Sequence, residues 1–71
     1  MKGSIRQLTG RKIKALRTKA NLTQEELANL ADIDYKYFQR IEGKNPPNIK
    51  IDTIGAIAKA LKTTPNKLLD F

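Results

Sequence analysis

The chain has 71 residues with no cysteine and no histidine, and its 14 Lys and Arg against 7 Asp and Glu give a formal net charge of +7. A chain of this length builds one small core and leaves little room for a cleft that buries a substrate. The missing residue types exclude disulfides, thiolate metal sites and a histidine base, so we expect no metal, no cofactor and no enzymatic activity.

The positive charge is concentrated at the beginning of the chain. Residues 1–20 hold seven basic residues and no acidic one, whereas residues 21–71 hold seven of each. This asymmetry favours a polyanionic partner, nucleic acid before an anionic membrane surface, although a solvated basic face explains the charge equally well. No run approaches the roughly 20 apolar residues of a membrane span, and the start lacks the apolar core of a signal peptide, so we expect a cytoplasmic protein.

Apolar residues recur at intervals of three and four, which predicts an all-α protein of five short helices. We expect the first helix from residue 9 or 10 to residue 19, with Ile13, Leu16 and Ala20 on its inner stripe. Arg17 falls in the same stripe and would face the core despite its charge.

The second helix begins at the stretch TQEE, where Thr23 and Glu26 have the spacing of a capping box. The residues expected to face inward are Leu27, Leu30 and Ala31, with the small Ala28 where another helix could cross closely. A short turn, ADID, follows and gives the third helix Asp34 as its N-cap.

The third helix, ending at Glu42, has two different faces. At 100° per residue Phe38 and Ile41 point to the core together with Glu42. The opposite face carries Lys36, Gln39 and Arg40, bordered by Tyr35 and Tyr37. Such a strip of long hydrogen-bonding side chains suits the DNA major groove, and an ordinary solvated helix face is the alternative.

After the loop KNPPN, a fourth helix is expected from residue 51 to residue 61 and a fifth from Pro65, with Thr64 as its cap. The apolar residues expected to face the core from the fourth helix are Ile51, Ile54, Ile57, Ala58 and Leu61. Phe71 either packs back on the body or stays exposed.

The run IKALRTKANLTQEELANLADIDYKYFQRIEGK, followed by IDTIGAIAKALKTTPNKLL, resembles the lambda-repressor and Cro type of helix-turn-helix, also called XRE-type. The resemblance covers about residues 9–70. It implies a compact five-helix, lambda-repressor-like DNA-binding domain over residues 9–71, with the helix-turn-helix at helices 2 and 3. Residues 1–8 are then a basic arm or an extra helical turn.

The resemblance also implies roles for individual residues. The base-contacting positions would be Tyr35, Lys36 and Arg40, with Gln39 adjacent to them. Gln24 matches a phosphate-contacting glutamine, and Arg17 and Glu42 match a structural ion pair. Further phosphate contacts are expected from Tyr37 and, around the loop after helix 3, from Lys44, Asn45 and Lys50, with a solvated loop as the equal alternative for these last three. Asn21, Asp32 and Lys62 depart from the family, which often has glycine there, and Lys50 stands where a small capping residue is usual.

The function that follows is a sequence-specific regulator of transcription that binds double-stranded DNA, expected to be a repressor acting at the nucleoid. If the chain forms a homodimer, the expected surface is helix 5 and the C-terminus, around Leu68, Leu69 and Phe71; the equal alternative is that these residues cap their own core. The alternative is an antitoxin or accessory module of the same fold that needs a protein partner. We expect no small-molecule effector and no membrane association.

Overall fold

A computed structural model describes residues 3–71, and within that range the fold is all α-helical. Its helices are α1 (Ile5–Lys19), α2 (Gln24–Leu30), α3 (Tyr35–Ile41), α4 (Ile51–Ala60) and α5 (Pro65–Leu68). α2 packs on α3 and α4, α1 packs on α3 and α5, and α4 also packs on α5. The predicted all-α, five-helix class is confirmed. None of the helices in the described range is long and apolar enough to cross a membrane.

Each helix contributes at least one fully buried side chain to a single core. The largest of these side chains are Ile13, Leu27, Phe38, Ile41, Ile57 and Leu68. Burying a side chain of this size stabilises the fold by about 1.5–3 kcal/mol before the loss of conformational entropy is counted. The core therefore ties five helices together, none of which is longer than 15 residues.

Two helices begin where the capping signals predict. The hydroxyl of Thr23 accepts from the amide of Glu26 at 3.1 Å, and the Glu26 carboxylate accepts from the amide of Thr23 at 2.8 Å. The Asp34 carboxylate accepts from the amide of Tyr37 at 3.0 Å and so caps α3. Such caps matter because α2 and α3 have only seven residues each, too few to be stable in isolation.

The first helix begins at Ile5, one turn earlier than predicted. Ser4 is its N-cap, and with Gln7 it forms a second capping box, whose hydrogen bonds measure 3.2 and 3.0 Å. Residues 5–8 are therefore helical. Residues 1 and 2 of the expected arm lie outside the described residues.

Three residues expected in the core or its stripe lie elsewhere, and a fourth, Leu61, packs against the core without being fully buried. Leu30 is 63% exposed and Ile51 is 87% exposed. Leu30 lies about 100° away from the middle of the buried face of α2, and Ile51 is the first residue of α4, whose buried side chains begin at Ile54. Ala20 is exposed and ends α1 as its C-cap. Leu61 is only half-buried as the C-cap of α4.

The links after α1, α2 and α4 each use a residue in the left-handed conformation. These residues are Asn21, Asp32 and Lys62, with φ of 60°, 57° and 57°. Asn and Asp tolerate this conformation, whereas in Lys it brings the Cβ close to the following carbonyl oxygen and is sterically unfavourable. The chain thus turns as a glycine-containing link would, with some strain at Lys62.

Candidate nucleic-acid interface

One face of α3 is open to solvent. Phe38 and Ile41 are fully buried and fix the rotation of the helix about its axis. That rotation leaves Lys36, Gln39 and Arg40 exposed on the other side. A helix of seven residues spans about 10 Å, and its side chains carry donors that can reach base edges in a major groove.

The two tyrosines of α3 differ in their surroundings. Tyr35 is 39% exposed at the first position of the helix, beside the strip of Lys36 and Arg40. Tyr37 is half-buried, packs against the core, and donates its hydroxyl to the carbonyl of Asn48 at 3.4 Å. Its ring is therefore held in place, while Tyr35 is free to meet a ligand.

The loop after α3 continues the exposed strip. A shallow depression is lined by Lys36, Gln39 and Arg40 from the helix and by Lys44 and Asn45 from the loop. Three of the four residues predicted to contact bases and two of those predicted to contact phosphates thus share one surface, and Tyr35 is not part of its lining. Lys50 is exposed and stands apart from this depression as the N-cap of α4, with no hydrogen bond from its side chain to the cap.

Arg17 and Glu42 form an ion pair that links α1 to the end of α3. Arg17 Nε lies 2.8 Å from Glu42 Oε2, and Arg17 Nη2 donates to Glu42 Oε1 at 3.0 Å, so the pair is bidentate. The side chains are 12% and 2% exposed. The third guanidinium nitrogen, Nη1, donates to the carbonyl of Leu22 at 2.7 Å. The hydrogen bond to Glu42 raises the pKa of Arg17 although burial opposes it, and the pair links α1 to the end of α3.

Gln24 is joined to the same pair, a contact that sequence reasoning missed. Its Nε2 donates to Glu42 Oε1 at 3.0 Å. An amide nitrogen carries two hydrogens, so Gln24 keeps one donor and its carbonyl oxygen for another partner. Glu42 therefore orients a side chain that was predicted to contact a phosphate.

A second missed contact joins α1 to the loop after α3. Gln7 Nε2 donates to the carbonyl of Lys44 at 3.1 Å, while the same side chain closes the capping box of α1. The spacing of Ser4 and Gln7 is a capping-box signal in the sequence, but nothing in the sequence indicates the partner 37 residues away.

Comparisons with known proteins establish the family and agree with the fold. The family described as "Helix-turn-helix domain" matches residues 10–70. The control protein C.BamHI of Bacillus amyloliquefaciens is 40% identical over 72 residues, which cover 100% of this chain and 88% of that protein. The control protein C.SmaI of Serratia marcescens is 32% identical over 65 residues, covering 92% and 76%. The crystal structure of the restriction-modification controller protein C.AhdI from Aeromonas hydrophila superimposes with a TM-score of 0.84 at 32% identity, covering 89% of this chain and 94% of that one.

Proposed function

Because the chain belongs to the helix-turn-helix domain family and is a DNA-binding regulator of transcription, we propose that it serves as the controller of a restriction-modification system. The observation that supports this narrower role is the 40% identity to a control protein along the whole chain. Proteins related at this level along the full length of one small domain share a fold, and the exposed face of α3 supplies the DNA-reading surface.

The exposed strip of α3 would read the bases. Arg40 and Lys36 can donate to guanine O6 and N7, and Gln39 can pair with adenine. Tyr35, beside them, can touch a thymine methyl. Each well-formed pair of this kind would contribute roughly 1–3 kcal/mol of discrimination against the wrong base.

Phosphate contacts would supply most of the affinity and fix the register of the helix. Gln24, Lys44 and Asn45 border the reading strip, and Lys50 and Tyr37 are the remaining candidates. For Gln24 the free amide hydrogen is the group available, since the other is held by Glu42. The hydroxyl of Tyr37 can accept a hydrogen bond while donating to Asn48, but it cannot donate to a phosphate at the same time.

We further propose that two copies bind two half-sites as a homodimer through α5 and the C-terminus. Leu68, predicted in that contact, is fully buried in its own core. Leu69 and Phe71 are each 48% exposed and form the apolar part of the proposed contact. A dimer on a promoter would exclude the polymerase and so repress, and it would act in the cytoplasm at the nucleoid.

The test is a selection from random duplexes at near-physiological salt with three proteins: the wild type, Lys36→Ala/Arg40→Ala, and the control Lys19→Ala/Lys59→Ala. The control removes the same charge from exposed positions of α1 and α4, away from the proposed dimer contact. We expect the wild type and the control to enrich one defined, palindromic site that the α3 variant does not recover.

The genomic position of that site tests the narrower role. A controller is expected to have its site upstream of restriction-modification genes or of its own gene. Sites found only at unrelated promoters would contradict the controller role and leave a general regulator. No enrichment by a folded wild-type protein would contradict sequence-specific binding by this chain alone and favour a module that depends on a partner.

A further inference from the structure

Three cations outside α3 line one cleft. Arg11 and Lys14 of α1 line it on one side and Lys44, from the loop after α3, on the other. All three are exposed, and the first two share a helix face because they are three positions apart. The cleft, of about 540 Å³, is open to solvent and is lined by charged and polar residues together with Gly43. None of the roles described above uses Arg11 or Lys14.

The walls of this cleft are fixed by two contacts. Gly10 is buried where α1 crosses the end of α3, and a Cβ at this position would overlap the backbone carbonyl of Ile41. The absence of a side chain therefore brings the two backbones together. Gln7, one turn before Arg11, holds the loop through its 3.1 Å hydrogen bond to the carbonyl of Lys44. The spacing between the cations is thus set by the fold.

The charge in the cleft is not compensated. Glu42 also lines it, but this carboxylate is 2% exposed and bonded to Arg17. Among residues 3–71 that bidentate pair is the single ion pair, so the three cations keep their charge for an external anion. α1 has no acidic residue in its first turn, where the helix dipole would favour one.

The cleft is continuous with the reading surface. Lys44 and Asn45 line both the cleft and the depression that contains Lys36 and Arg40. A polyanion lying along α3 would therefore pass the loop and reach α1. We propose that the cleft between α1 and the loop after α3 binds a phosphodiester group of the DNA backbone, held by Arg11, Lys14 and Lys44, beside the segment that α3 reads.

This inference rests on the proposed DNA binding and extends it to a part of the chain outside the helix-turn-helix. Each phosphate contact releases counterions, so the logarithm of the binding constant falls with the logarithm of salt concentration by about 0.9 per contact. Removing two contacts should lower the slope by about 2 and weaken binding roughly 30-fold at ~0.15 M salt. The loss should be equal for the operator and for a scrambled duplex, because backbone contacts carry no sequence information.

The experiment measures binding to both duplexes over a range of salt for Arg11→Ala/Lys14→Ala and for the control Lys19→Ala/Lys59→Ala. The control removes two exposed cations that do not line the cleft, one of them from the same helix. A third protein, Arg11→Lys/Lys14→Arg, keeps the charge and should retain the wild-type slope. Thermal unfolding of all variants verifies that they are folded.

The outcomes separate the two proposals. A loss of slope and affinity in the alanine variant alone, on both duplexes, supports the phosphate cleft whether or not the protein prefers one sequence. If the alanine variant has the same salt slope and affinity as the control, the proposal that the cleft binds a phosphate is overturned, even if the wild type selects an operator. A second experiment tests whether the cleft binds a free anion rather than a phosphate of DNA. Inorganic phosphate is titrated while the amide resonances of Arg11, Lys14 and Lys44 are followed. Saturable shifts there, with duplex binding unchanged in the alanine variant, would also overturn the DNA assignment.

Discussion

At the scale of single residues, Arg17 joins three parts of the fold. Its guanidinium donates two hydrogen bonds to Glu42 at the end of α3 and one to the carbonyl of Leu22 in the link after α1. Glu42 accepts from Gln24 as well, so a single carboxylate connects α1, α2 and α3. The pair is nearly buried, and removing one partner would leave a charge with little water around it.

We predict that Arg17→Ala destabilises the fold by about 3 kcal/mol, because the buried carboxylate of Glu42 loses its countercharge. For a domain of this size the melting temperature should fall by about 10–20 °C in a calorimetric or circular dichroism melt. Lys19→Ala, an exposed change two residues later, serves as control and should shift it by less than about 3 °C. Equal melting temperatures for Arg17→Ala and the control would show that the pair contributes nothing.

The raised pKa of Arg17 determines how its contribution to folding stability depends on pH. Because the hydrogen bond to Glu42 raises this pKa in the folded state, the stabilisation from Arg17 is complete below the pKa of an unfolded arginine. It is lost only as pH rises through the still higher pKa of the folded state. Arg17 itself therefore makes no contribution to any change of stability near neutral pH.

Lys62 is a residue whose replacement should stabilise the protein. Its φ of 57° costs a side chain with a Cβ roughly 1 kcal/mol, and glycine adopts this conformation freely. We expect Lys62→Gly to raise the melting temperature by about 4–8 °C. Lys59→Gly, the same exchange inside α4, should lower it by a similar amount because glycine is unfavourable there. A decrease on Lys62→Gly would contradict this account of strain in the link.

At the scale of elements, the caps and the helix crossings have separate origins. Local side chains define where each helix begins, as at Ser4 for α1 and Thr23 for α2. The crossing of α1 with the end of α3 depends on Gly10, which has no local signal that distinguishes it from Gly55 in the middle of α4. In the structure both are single glycines within helices, and only the neighbouring element decides their roles.

These two glycines make a matched pair of predictions. Gly10→Ala should destabilise by about 2 kcal/mol, since the new Cβ meets backbone of α3 that cannot give way cheaply. Gly55→Ala adds a Cβ with nothing within 4 Å and should stabilise by roughly 0.5–1 kcal/mol through helix propensity. Urea unfolding of both variants measures the two free energies. The same sign for both changes would refute the close approach at Gly10.

At the scale of the whole molecule, the proposed dimer would allow the protein to reach two half-sites on DNA. The longest principal extent of the chain is 30 Å, whereas adjacent half-sites one helical turn apart are separated by about 34 Å. One copy therefore cannot place α3 in two successive major grooves. The apolar residues Leu69 and Phe71, each half-exposed, offer a contact through which a second copy would reach the next half-site.

We expect the wild type to sediment as a dimer at micromolar concentration and Leu69→Glu/Phe71→Glu to sediment as a monomer, because the charges would be desolvated in the contact. Leu30→Glu changes another exposed leucine, on α2, and should leave the dimer intact. A wild type that is strictly monomeric would rule out a stable free dimer. Dissociation by Leu30→Glu would place the contact on α2.

The sequence by itself determined the number and type of the helices, the caps at Thr23 and Asp34, and the division of α3 into a buried and an exposed face. These features depend on residue type and spacing within about four positions, which a sequence displays directly. The family membership follows from the same spacings and is confirmed by the match over residues 10–70.

Only the tertiary structure decided which residues are covered by a neighbouring helix and which contact one another. Periodicity predicted Leu30 and Ile51 as core residues, but no neighbouring helix covers them, since coverage depends on where other elements end. Two hydrogen bonds connect residues that are distant in the sequence. Gln24 donates to Glu42, 18 positions away, and Gln7 donates to the carbonyl of Lys44, 37 positions away. Contacts across such distances arise from helix packing, and packing of side chains in three dimensions leaves no fixed spacing in the sequence from which to predict them.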